Sequence, residues 1–179
     1  GLSFGLSNER ITVGTGRKNA ILLSDHAGGF PHADFGTNKK VQLGGIADLE
    51  FRWLWGLLKE SEFFDDNPDN DRAWFSGTYT SLSPYIIPNF TIGFAYQYYK
   101  PMAEWDAFDL IRGIPFADTF NSRTDNKDMM ISIPFSWRFP EVGFEVYGEW
   151  ARNDSFSNIE DFFCALEHTH AFTIGGSQK

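Results

Sequence analysis

The chain has 179 residues, with Lys+Arg 15 against Asp+Glu 24 and a formal net charge of -9. That acidic excess excludes a nucleic-acid binder, which needs surplus Lys and Arg to meet phosphates. A hydrophobic share of 42%, with 17% aromatic residues, excludes a disordered chain and makes one domain with a sizeable core the natural prior. No stretch approaches the ~20 consecutive apolar residues of a membrane helix, but crossing a membrane by strands needs none.

In chain order, Leu2–Ser7 reads as a strand, and 9–46 is long and irregular, with Asn19–Leu23 a weaker candidate strand inside it. Alternation with period 2 then takes over. In 47–58 the apolar set is Leu49, Phe51, Trp53, Trp55 and Leu57, facing Glu50 and Arg52. Residues 59–72 are long and polar, 73–83 alternate more weakly, and Pro84–Pro88 is a short turn. In 89–99 the even positions are Phe90, Ile92, Phe94, Tyr96 and Tyr98. Another long polar connection, 100–126, leads to 127–138, where Met129, Ile131, Ile133, Phe135 and Trp137 alternate with Ser132, Pro134 and Ser136. A tight turn at Phe139–Pro140 precedes 141–152, where Val142, Phe144, Val146 and Trp150 oppose Glu145, Tyr147 and Glu149. Residues 153–168 form a third long connection before a last strand, 169–179.

Runs of ~9–12 residues have the length of tilted membrane-spanning strands, and aromatics near their ends (Trp55, Tyr98, Trp137, Trp150) suit an interfacial girdle. Long and short connections alternate, as in a barrel with short periplasmic turns and long external loops. A soluble β-sandwich also alternates, but its strands are usually nearer 5–6 residues. The second face here is rich in Gly, Ser, Ala and Glu, which suits a crowded polar lumen. The expectation is an all-β fold: a transmembrane antiparallel up-and-down β-barrel, with short helices in its external loops. The whole of 1–179 is then one barrel segment, with 9–46 an irregular, plug-like region. Because both ends of the chain read as strands, a segment of a larger barrel is expected at least as readily as a complete eight-stranded one.

Particular residues add a resemblance. Phe4-Gly5 precedes Asn8-Glu9-Arg10, then Gly14-Thr15-Gly16-Arg17-Lys18-Asn19, a run through Ser24-Asp25, and Phe30-Pro31. Near the C-terminus stand Glu145-Val146-Tyr147-Gly148-Glu149-Trp150-Ala151-Arg152-Asn153-Asp154, Glu167-His168 and Thr173-Ile174-Gly175. The chain resembles the Wzi-like capsule-assembly family of bacterial outer-membrane β-barrels over nearly its whole length. Thr15 stands where that family usually has Pro, His26 replaces an Asn-like position, and Gly28-Gly29 replaces Arg-Pro or Pro-Pro. These departures bear on the shape of the 9–35 loop. The resemblance implies a barrel of about eighteen strands, with Gly14, Gly16, Asn19, Ser24, Asp25, Phe30 and Pro31 in its family-motif loop. It also implies a non-enzymatic role in holding capsular or other surface polysaccharide at the cell exterior.

Sugar binding needs flat apolar faces for pyranose rings and fixed polar groups for hydroxyls. Loop 100–126 offers Trp105 and Phe116, with Arg112 and Arg123 placed to pair with acidic sugars. Alternatively Trp105, Phe108 and Ile111 form one face of a short helix packed on the barrel rim. Loop 153–168 reads as a short helix acting as plug or lid, with Phe156, Ile159 and Leu166 in its buried stripe. Asp65–Asp71 is an oxygen-rich cluster better read as a solvated loop than as a calcium site, since it lacks the EF-hand Gly and Glu. Glu167-His168-Thr169-His170 supplies too few ligands for zinc. Glu50, Arg52, Arg138, Glu145, Glu149 and Arg152 are expected to face the lumen as a cross-strand charge network.

No Ser-His-Asp spacing, Walker loop or dinucleotide fingerprint is present, so no enzyme, metal or cofactor is expected. Outer-membrane lipid and surface polysaccharide are the expected partners. A porin-like channel, or a barrel scaffold among other outer-membrane assembly subunits, remains the alternative.

Overall fold

A computed structural model describes residues 1–16, 20–24, 26, 28–61, 71–115, 117, 128–153 and 170–178. They form an antiparallel, up-and-down sheet of nine strands: β1 (Leu2–Ser7), β2 (His32–Thr37), β3 (Val41–Leu43), β4 (Ala47–Lys59), β5 (Arg72–Pro84), β6 (Phe90–Pro101), β7 (Asp128–Phe139), β8 (Phe144–Asn153) and β9 (His170–Gln178). The order is β1-β2-β4-β5-β6-β7-β8-β9, with β3 also on β4.

Six runs expected from alternation, and Leu2–Ser7, are strands within a few residues of the expected bounds. The region 9–46 differs: it contains β2 and β3. Both pair with β4, His32 opposite Gly56 and Val41 opposite Leu49. The two are halves of one strand, interrupted at 38–40, where the register slips by two residues. Asn19–Leu23 is no regular strand: Leu23 makes a single bridge to Val13.

Directly paired residues share a face, so the register sorts every side chain. One face carries Leu49, Phe51, Trp53, Trp55, Ile92, Phe94, Tyr96, Ile131, Ile133, Phe135, Trp137, Val146, Trp150, Phe172 and Ile174. The other carries Asp34, Glu50, Arg52, Gly77, Ser81, Ala95, Gln97, Ser132, Ser136, Glu145, Glu149, Thr173 and Ser177. The first face is mainly apolar and partly exposed, with Ser76, Thr78, Thr80 and Lys100 among its polar groups; the second is mainly small and polar, with Leu54, Phe75, Tyr79, Tyr99 and Tyr147 among its larger ones. Arg152 corrects an expectation. It pairs with Ile131 and His170, which puts it on the apolar face and not in the polar network.

All the short turns lie at one end of the sheet. Gly44 and Gly45 take positive φ in the β3–β4 turn, a conformation an added Cβ would strain. At 84–89 and 140–143 the chain reverses within a few residues. Connections 8–31, 60–71, 102–127 and 154–169 all leave from the opposite end. Within the sheet, Pro134 on β7 stands beside Gly93 on β6, and the ladder skips Gly93 and Phe94. Proline has no N–H to donate there.

Candidate functional site

Two connections fold back from the long-loop end, one onto each face. The first, the described part of 8–31 (8–16, 20–24, 26 and 28–31), is a strap across the polar face. Thr15 Oγ1 donates to the Gly148 carbonyl at 2.7 Å. Glu149, 2% exposed, takes a hydrogen bond from Ser132 Oγ at 2.6 Å and one from the Ile21 N–H at 3.5 Å. Gly14, at φ 110, lies against that carboxylate, and a Cβ would collide with it. At the strap's far end the Phe30 ring sits over Gly56 and meets Phe75 edge-on at 5.5 Å. The Leu57 N–H donates to the Pro31 carbonyl at 3.1 Å.

Between strap and sheet lies a cavity of about 750 Å³. Its walls include Glu9, Arg10, Thr12, Asp34, Glu50, Arg52, Tyr79 and Ser81. Arg52 Nη1 and Asp34 Oδ1 are 2.6 Å apart, and Ser81 Oγ donates to Glu50 at 3.2 Å. The chamber holds charges of both signs and hydroxyls, a lining for a hydrated polar ligand.

The second connection is a flap, 102–115, over the apolar face of β4, β5 and β6. It contains one helical turn, α1 (Asp109–Arg112). Its carbonyls are capped by strand side chains. Trp55 Nε1 donates to Leu110 O at 2.8 Å, Trp74 Nε1 to Asp109 O at 3.2 Å, and the Thr78 hydroxyl to Gly113 O. Gly113 lies flat on Ser76, where a Cβ would not fit. Beneath the flap Asp109 joins Arg112 Nη1 at 2.6 Å and Lys100 Nζ at 2.9 Å, with the Tyr98 hydroxyl donating to Asp109 Oδ1 at 2.8 Å. Asp109 and Arg112 are 0% exposed and Lys100 1%. The Asp106 backbone N–H also donates to Asp109 Oδ2 at 2.7 Å.

The expected residues divide accordingly. Trp105 packs edge-on against Trp74, centroids 5.8 Å apart, and keeps 37% of its surface exposed. Arg112 does not meet solvent: its guanidinium is committed to Asp109 and Tyr98, which corrects its expected place among sugar-facing groups. The helix reading of the loop is met in part. Trp105 packs on the sheet and Phe108 lies under the Arg112 guanidinium at 5.3 Å, but Ile111 points outward.

Of the charge network, Glu50, Arg52, Arg138, Glu145 and Glu149 share the polar face, with Arg138 opposite Glu145. Arg52 takes Asp34, whose strand, β2, shows no clear alternation in the sequence. Of the motif loop, Gly14, Phe30 and Pro31 anchor the strap, Gly16 follows Thr15 within it, and Ser24 Oγ accepts the His26 N–H at 3.4 Å. Phe116, Arg123, Asn19 and Asp25 lie outside the described residues, as do the acidic cluster up to Asn70, Cys164, the 153–168 helix from Asp154 on, and Glu167-His168-Thr169. Among the described residues no group of His, Cys, Asp and Glu is placed to hold a metal.

No family model, no curated protein and no solved structure matches this chain.

Proposed function

We propose that this chain is part of a transmembrane β-barrel of the Wzi-like type, set in a bacterial outer membrane, and that it holds surface polysaccharide to the cell without catalysing a reaction. One observation carries the reading: the sorting of the sheet into an apolar and a polar face along strands of 9–13 residues. Such strands match a tilted membrane crossing, and such a face needs hydrocarbon or a second layer against it.

Further support comes from the long connections gathered at one rim, where a polymer outside the cell would be met. The strap favours a binder over a wide channel. It crosses the polar face that would line a pore, and it leaves a half-open chamber whose wall holds the Arg52–Asp34 pair. In this reading Arg123 and Phe116 are the groups of connection 100–126 offered to the polymer, since Trp105 and Arg112 are packed on the sheet.

The test is binding of the intact protein, refolded in detergent, to a glycan array and to purified surface polysaccharides. Retention of at least one polysaccharide is expected, with loss when 102–127 or 154–169 is shortened. Ion conductance in a planar bilayer with no glycan retained would overturn it in favour of the channel.

A further inference from the structure

Resting on the outer-membrane reading, we propose that the flap 102–115 is itself lipid-facing. Its outer side lies among acyl chains at the outer edge of the bilayer, and the Lys100–Asp109–Arg112 cluster is sealed between flap and sheet.

The flap's polarity is inverted relative to a loop that covers a core from water. Of its four charged side chains, Asp109 and Arg112 are wholly buried and Asp106, 35% exposed, turns its carboxylate toward Lys100 and Arg112, while Leu110 is 44% exposed, Ile111 41%, Ile114 40% and Trp105 37%. Three of its carbonyls are capped by Trp55, Trp74 and Thr78, so those groups need no water. A backbone segment can lie beside hydrocarbon only when its polar groups are satisfied internally. Glu104, exposed in the turn just after β6, is close enough to the rim to reach headgroup water.

Belt height gives an independent argument. The flap covers β5 down to Thr78, which leaves Thr78–Pro84 uncovered. Six steps of roughly 3.3 Å, tilted by about 40°, rise only about 15 Å. The hydrocarbon band of such barrels is about 25 Å tall. In this sector the uncovered sheet is too short to fill the band. The exposed flap residues supply the missing height, continuous with the apolar face below.

Nitroxide labels test this in the intact protein carrying Cys164→Ser, reconstituted in phosphatidylethanolamine–phosphatidylglycerol vesicles. One label is placed at Leu110→Cys, one at Ile92→Cys on the sheet's apolar face, and one at Tyr85→Cys in a short turn. Collision with oxygen and with a water-soluble nickel chelate is read for each. The Leu110 label is expected to favour oxygen as strongly as the Ile92 label, with Tyr85 favouring nickel. If Leu110 behaves like Tyr85 while Ile92 favours oxygen, the flap proposal falls and the barrel reading stands. If Ile92 shows no oxygen preference, the barrel reading itself falls, and this inference with it. If Leu110 is shielded from both reagents, protein covers the flap and the lipid proposal is overturned. Tryptophan quenching by brominated lipid gives an unlabelled check: Trp105→Phe should lower the quenched fraction, and an unchanged fraction counts against the proposal.

Discussion

At Glu149 one side chain ties two parts of the chain that are far apart in sequence. Its carboxylate binds Ser132 on the neighbouring strand and Ile21 in the strap, with Gly14 seated against it. Removing it leaves the buried Ser132 hydroxyl without its acceptor, worth about 1–3 kcal/mol, and gives up the longer bond from the part-buried Ile21 N–H. Glu149→Leu is therefore expected to speed proteolysis within 8–31 and to lower the urea midpoint, whereas the exposed Glu141→Leu leaves both unchanged. Gly14→Ala should loosen the strap too, through collision and through its positive φ. Asp109→Asn, which leaves Lys100 and Arg112 with the more distant Asp106 carboxylate, 3.8 and 3.9 Å away, should loosen the flap at neutral pH, at a cost of roughly 3 kcal/mol, read by a fluorophore on Leu110→Cys. Period-2 spacing does not reveal these partnerships, because they join a loop to strands it does not adjoin in sequence. Arg112 looked like a sugar ligand for that reason: only its tertiary neighbours hide it. Arg152 is a different case, since it shares parity with Trp150. Spacing alone places it on the apolar face, and only its charge suggested otherwise.

Among the strands, legibility followed length and contrast. β4, β6, β7 and β8 place large apolar groups against small or charged ones over nine or more residues, and the register agrees with that alternation. β2 and β3 escaped notice because His-Ala-Asp-Phe-Gly-Thr offers little contrast and Asn38-Lys39-Lys40 breaks the run. Substitution can test the assignment of faces. Ile133→Arg should cost roughly 2–4 kcal/mol in a urea refolding titration in lipid vesicles, as expected for arginine near the bilayer midplane. Ser136→Arg, on the opposite face of the same strand, should cost under about 1 kcal/mol. Equal costs would contradict the lipid-facing assignment. Ser132 and Ala95 are poor controls: both are buried on the polar face, so an added arginine would find no room.

For the molecule as a whole, the strap decides whether the polar face is open to solvent. Deleting 9–30 exposes the buried Glu149 and Asp34 beside Arg52, which is already half exposed. In a reconstituted parent barrel the deletion is expected to raise single-channel conductance with a preference for cations, given the carboxylates on that wall. Unchanged conductance would mean that other parts of the barrel occlude the pore. Up-and-down order and the gathering of long loops at one end were both readable from connection lengths. Where the 8–31 connection is fastened on the polar face, and that another folds over the apolar one, was not, because backbone direction after a strand end is set by anchors such as Phe30 on Gly56 and Trp74 on Asp109.

The pairing of Pro134 with Gly93 has a mechanical side. Where the β6–β7 ladder lacks an N–H and one flank lacks a Cβ, adjacent strands can pivot with little resistance, and a sheet bends most readily along such a line. A wall that has to roll into a cylinder needs creases of this kind. Pro134→Val would restore the missing donor and stiffen the fold line, so the variant should insert and close more slowly in a vesicle folding assay even as its finished structure gains resistance to urea.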